Sequence, residues 1–170
     1  MSDSVRTLTR SALAAAVGVV ILYIGSVLPT ARLTVLCAAT LGVVFIRLSC
    51  STRWALGCFA VTAFASLLLL PGKALAILYT VFLGYYPVIK LWAERLHKGV
   101  YRWTVKLISF NTAALVLYVA ARAVVSELAG VLVWPLWAVW LGAHAAFVAY
   151  DYALGALILY YLRNLARRIG

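Results

Sequence analysis

SALAAAVGVVILYIGSVL, residues 11–28, decides the fold: it is an unbroken run without a charged side chain, preceded by Arg6 and Arg10 and closed by Pro29 and Arg32. A run of this length reads as a transmembrane helix rather than a buried core helix. It is long for the apolar part of a secretory leader, and Val27-Leu28-Pro29 is a poor cleavage site, so it is taken as a first membrane span. Ser11, Ala15, Gly18 and Gly25 form one small-residue stripe, and Ala12 and Ala16 lie four apart on another. Such faces let helix backbones approach closely in lipid. They predict either packing inside the bundle or docking of another membrane subunit.

The rest of the chain has the same pattern. It is 66% hydrophobic and only 11% charged over 170 residues, with a mean hydropathy of +1.05, whereas soluble domains carry about 25% charged residues. Lipid offers backbone groups no partner, and continuous apolar runs without alternation exclude a barrel, so the fold class is all-α. Further spans are expected at Leu33 to about Leu48, Trp54 to Leu70, Ala74 to Ile89, Leu107 to Val124 and Trp134 to Leu162. The whole chain, 1–170, is therefore read as a single six-helix transmembrane domain. The charged segment Lys90 to Lys106 is read as an interfacial amphipathic helix or helical elbow between helices 4 and 5, and Tyr85-Tyr86-Pro87 as a kink.

Charge sets the orientation. Of the fifteen lysines and arginines, only Arg32, Lys73 and Arg122 fall on one side of such a bundle, while Arg6, Arg10, Arg47, Arg53, Lys90, Arg95, Lys98, Arg102, Lys106, Arg163, Arg167 and Arg168 fall on the other. The positive-inside rule makes that side, with both termini, cytoplasmic in a multi-pass cell-membrane protein. The net charge of +11 is thus assigned to orientation and anionic lipid rather than nucleic acid.

Polar residues within spans are costly and mark candidate sites. Tyr79, Phe82, Tyr86 and Lys90 share a stripe of span 4; Asn111, Leu115, Tyr118 and Arg122 share one of span 5; Trp137, Trp140, His144 and Asp151 share one of span 6. Asp151, Asn111, Tyr86 and Lys90 are grouped as an intramembrane polar cluster, which either fixes helix register or contacts a ligand. No metal site is expected, since Cys37, Cys50 and Cys58 lack ligand spacing and His144 lacks partners. Enzyme motifs are absent and no cofactor is predicted; the expectation is a non-enzyme.

The order of features resembles the substrate-binding S-components of energy-coupling-factor importers, above all the uncharacterised S-component-like membrane proteins of Gram-positive bacteria. The likeness lies on the Ala12-Leu-Ala-Ala-Ala16 helix, Leu28-Pro29-Thr30-Ala31-Arg32, Phe82-Leu83-Gly84-Tyr85-Tyr86-Pro87-Val88-Ile89-Lys90 and Ala149-Tyr150-Asp151-Tyr152. It implies docking of Ala12 and Ala16 on a transmembrane coupling subunit with its ATPases. It also implies capture of a small solute at the outer face by Arg122, Trp137, Trp140 and His144, to which Tyr79 and Tyr118 are added from the polar stripes; the outward Arg32, Lys73 and Arg122 read separately as a positive funnel for an anionic solute. Two other functions stand beside it: a membrane scaffold resembling the rod-shape-determining subunits, and a channel or proton-linked carrier using Asp151 and His144.

Overall fold

The structure is a computed structural model that describes residues 3–28, 32–96, 98–124, 136–160 and 162–163, and no strand occurs among them. The chain divides into two compact units, Met1–Val125 and Ser126–Gly170. The fold is all-α.

In the first unit α1 spans Asp3–Val27, α2 Arg32–Ser49 and α3 Thr52–Leu69. Helix α1 starts eight residues before the apolar run, and in that polar segment Thr9 turns its hydroxyl onto the Val5 carbonyl at 2.9 Å, one turn back in the same helix. Only Cys50 and Ser51 separate α2 from α3, and so short a connection holds the two as antiparallel neighbours. The Ser11, Ala15, Gly18 and Gly25 stripe is buried. A methyl group on Gly18 would stand 3.2 Å from Thr62 Cγ2 and 3.7 Å from the Ala39 carbonyl, and one on Gly42 would stand 3.1 Å from the Ala14 carbonyl. Helices α1 and α2 thus meet backbone to backbone, with the Thr62 side chain of α3 packed against Gly18, and such close approach supplies the dispersion contacts that hold helices together in lipid. Thr62 hydrogen-bonds Cys58 within its own helix and reaches the Ala15 carbonyl of α1 at 3.5 Å. Ala15, Val43, Ile46, Ala55, Cys58 and Val88 form the core of this end of the bundle, flanked by Phe45, Trp54 and Phe59.

Helix α3 stops at Pro71, and the Lys73 ammonium turns back to hydrogen-bond the Leu67 and Leu68 carbonyls at 2.8 and 3.4 Å. A cation on the final carbonyls is the favoured end for a helix. Helix α4 covers Lys73–Leu78, a π-turn comes next at Tyr79–Leu83, and α5 covers Tyr86–Ala93. The interruption has a local cause. Pro87 lacks the N–H that would bond the preceding turn, so the chain widens: Gly84 donates to the Tyr79 carbonyl five residues back at 2.8 Å, and a new helix starts with proline in its first turn.

Helix α6 runs Gly99–Val124 without a break. The Lys90 to Lys106 segment is therefore an elbow rather than one interfacial helix. Arg95 and Leu96 donate to carbonyls three residues back, those of Trp92 and Ala93, which tightens and ends α5 before Gly99 begins α6.

The second unit contains α7, Leu136–Tyr160, with Phe147, Tyr150, Asp151, Leu154 and Ile158 buried and Trp137 and Trp140 exposed. Residues 29–31 and 125–135, which include Trp134 and Pro135, and the C-terminal cations Arg167 and Arg168 lie outside the described residues.

Among the described residues, four helical stretches are long and apolar enough to cross a membrane: Ser4–Val27, Thr52–Leu69, Lys73–Ala93 and Trp137–Tyr160. The apolar part of α2, Thr34–Ser49, is shorter, and the 26 residues of α6 give about 39 Å at about 1.5 Å each. Two hydroxyls on these helices are satisfied within their own helix, Ser26 on the Tyr23 carbonyl and Thr80 on the Ala76 carbonyl, both at 2.7 Å.

Candidate functional site

The interrupted helix gathers the first unit's aromatic and charged side chains. Tyr79 and Tyr86 are fully buried and Phe82 nearly so. The Phe82 ring lies 5.3 Å from that of Tyr86 and 5.5 Å, edge-on, from Phe110 of α6. On the other side Phe59 of α3 lies 6.1 Å from Tyr79 and 6.0 Å, edge-on, from Tyr85. These separations suit tilted and edge-to-face aromatic pairs.

One helical turn on, Lys90 is buried and its ammonium contacts Glu94 Oε1 at 3.0 Å. Lys106 of α6, also buried, reaches the same oxygen at 3.7 Å and lies 5.5 Å from the centre of the Trp103 ring. One carboxylate thus serves two lysines and ties α5 to α6 across the elbow. Charged groups with so little exposure must be paired to persist.

The residues singled out by sequence fall in several places. Tyr79, Tyr86 and Lys90 share the interior of the α4–α5 helix. Asn111 is exposed on α6 and returns its amide to the Leu107 carbonyl at 2.9 Å, one turn back in its own helix. Tyr118 is half-buried on the same helix; the side chain of Arg122 lies outside the described residues. On α7, His144 stacks 4.0 Å from Trp140 and places Nδ1 2.9 Å from the Trp140 carbonyl oxygen, so Nδ1 carries the proton. Asp151 lies further along α7, buried. Of Arg32, Lys73 and Arg122, Lys73 is engaged in ending α3 and Arg32 is exposed at the start of α2.

Ala12 and Ala16 are exposed, away from the buried stripe of α1. On a different face of α1 an open groove of about 490 Å³ runs between α1 and α2, lined by Leu13, Ala14, Val17, Gly18, Ala38 and Gly42 and not by Ala12 or Ala16. A second groove of about 410 Å³ lies between α5 and α6.

Sequence reading missed Glu94. It weighed the elbow by its cations, yet Lys90-x-x-x-Glu94 has the four-residue spacing of a helical ion pair, and that was the available signal. No protein-family model, curated protein or solved structure matches this chain.

Proposed function

We propose that the chain is the solute-binding integral membrane subunit of an energy-coupling-factor type importer, non-catalytic itself and dependent on a partner for ATP hydrolysis. In this reading six helices cross the cell membrane with both termini cytoplasmic. The observation that carries it is a small-residue surface left open on α1: Ala12 and Ala16, four residues apart, are both exposed and lie away from the buried stripe. A packed bundle has no internal use for such a surface, and another membrane helix can approach it closely. A small anionic solute would enter from the outer side, with Arg122, Tyr118, Trp137, Trp140, His144 and Tyr79 as its candidate contacts.

Replacement of Ala12 and Ala16 by leucine tests this. Both side chains are exposed, so thermal stability is expected to stay within about 0.5 kcal/mol of the parent, while co-purification of a coupling subunit falls at least tenfold. Unchanged association, or no such partner for the parent protein, rejects the reading.

A membrane scaffold is the second reading. It is favoured by Tyr79, Phe82 and Tyr86, which fill the interior with ring contacts, and by the carboxylate that locks the elbow.

A further inference from the structure

The basic elbow and the α5–α6 groove are parts of one surface. The groove is lined by Tyr85, Ile89 and Trp92 from the α5 side and by Val105, Ile108, Ser109 and Thr112 from α6. Continuing the α6 stripe backwards at the same spacing of three and four residues gives Arg102 and Lys98. The apolar groove therefore opens at the elbow between cations, with Arg95 on the facing turn.

Charge at the elbow is sorted by direction. Glu94 is taken up by the inward-facing Lys90 and Lys106. Arg95 and Lys98 are exposed, Arg102 is half-buried, and among the described residues no carboxylate pairs with any of the three. The Arg102 Nε is buried and has no hydrogen-bond partner. Trp92 and Tyr101 are exposed on either side, and the Lys98 ammonium lies 5.9 Å from the Tyr101 ring centre. Exposed tryptophan and tyrosine among cations is the composition of a membrane headgroup layer.

Depth agrees with that setting. From Val105 to Thr112 the groove covers about 10 Å of helix at about 1.5 Å per residue, within the roughly 15 Å that one leaflet contributes to a bilayer core about 30 Å thick. We infer that the elbow and the α5–α6 groove form a binding site for one anionic phospholipid, its phosphate held by Arg95, Lys98 and Arg102 and an acyl chain lying between Trp92 and Ile108. Inside a bilayer the groove gains nothing from water exclusion, so headgroup charge sets the preference and the groove sets the position. The site rests on membrane insertion and not on the importer reading; it stands whether or not a solute or coupling subunit exists.

The test is native mass spectrometry of the full-length protein, delipidated and then titrated with phosphatidylglycerol or phosphatidylcholine. Juxtamembrane cations favour anionic lipid by about fivefold each. The parent should therefore retain phosphatidylglycerol well over fivefold more than phosphatidylcholine, Lys98→Gln should lower that ratio by about fivefold, and Lys98→Gln with Arg102→Gln should lower it by about twenty-five-fold, leaving about the fivefold preference that Arg95 supplies. Lys98 is exposed, so the single variant remains informative if Arg102→Gln folds poorly. Thr112→Trp narrows the groove without altering charge and should at least halve bound phosphatidylglycerol. Equal retention of the two lipids by the parent overturns the inference, as does a ratio unmoved by Lys98→Gln. Retention unmoved by Thr112→Trp reduces the site to surface attraction and overturns it too. Full displacement by glycerophosphate would identify a site for soluble anions instead, and likewise overturn it.

Discussion

Glu94→Gln removes the carboxylate shared by Lys90 and Lys106 while keeping its size. Both ammonium groups touch one oxygen, at 3.0 and 3.7 Å, so they stand within about 7 Å of each other. At that distance two unit charges repel by about 2 kcal/mol at an effective dielectric of about 20. In the parent protein the carboxylate more than offsets this; in the variant the two lysine side chains, only 3% and 8% exposed, lose it together. Removing one partner of a fully buried pair costs about 3–5 kcal/mol. The Glu94 side chain is 37% exposed, and water screening brings the expectation down to about 2–3 kcal/mol. Thermal unfolding in mild detergent should fall by roughly 4–10 °C. Lys106→Met, which keeps the aliphatic stem and removes the charge, should recover about half of that loss when added to Glu94→Gln, with a coupling above about 1 kcal/mol in the double-mutant cycle. A Glu94→Gln protein melting within 2 °C of the parent, or a double variant less stable than the single one, would refute the reasoning.

Gly84→Ala should cost about 1–3 kcal/mol, because the new methyl would stand 2.5 Å from Phe59 Cδ2 and 2.9 Å from Tyr79 Cε1 beside the π-turn; the melting temperature checks it. Gly57→Ala is the matched control: nothing lies within 4 Å of the added methyl in α3, so a gain of up to about 1 kcal/mol from helix propensity is expected in the same measurement. Lys73→Met should lower stability by about 0.5–1 kcal/mol by freeing the Leu67 and Leu68 carbonyls that end α3, and should raise hydrogen exchange at the last turn of α3.

The helices were legible where apolar runs are uninterrupted. The stretch 11–28 gave α1, Pro71-Gly72 gave the end of α3, and Tyr85-Tyr86-Pro87 gave the interruption between α4 and α5, since proline removes a donor at a known place. Hydropathy located the membrane-facing part of each helix better than its ends. Residues before Ser11 lie outside the apolar run, yet α1 runs on through them to Asp3, because backbone hydrogen bonds and not hydropathy decide where a helix ends. The elbow divides into two helices for a similar reason: spacing of apolar residues between Lys90 and Lys106 is compatible with one helix, and only the three-residue hydrogen bonds at Arg95 and Leu96 end it. For the candidate site, periodicity placed Tyr79, Tyr86 and Lys90 on one inward stripe, and all three are buried. It also put Asn111 on an inward stripe, whereas the asparagine is exposed and satisfied by its own helix. The pairing of Lys106 with Glu94 joins separate helices across a turn, a relation that helix spacing alone cannot supply.

Whether this chain works as a solute-binding subunit is decided most directly by mild-detergent purification of the full-length protein from its native membranes, with bound proteins and small molecules identified by mass spectrometry. A coupling subunit with an ATPase pair in fixed ratio, together with a co-purified anionic small molecule, is the expected result. A homogeneous preparation carrying lipid alone, with neither ATPase nor solute, would contradict the importer reading.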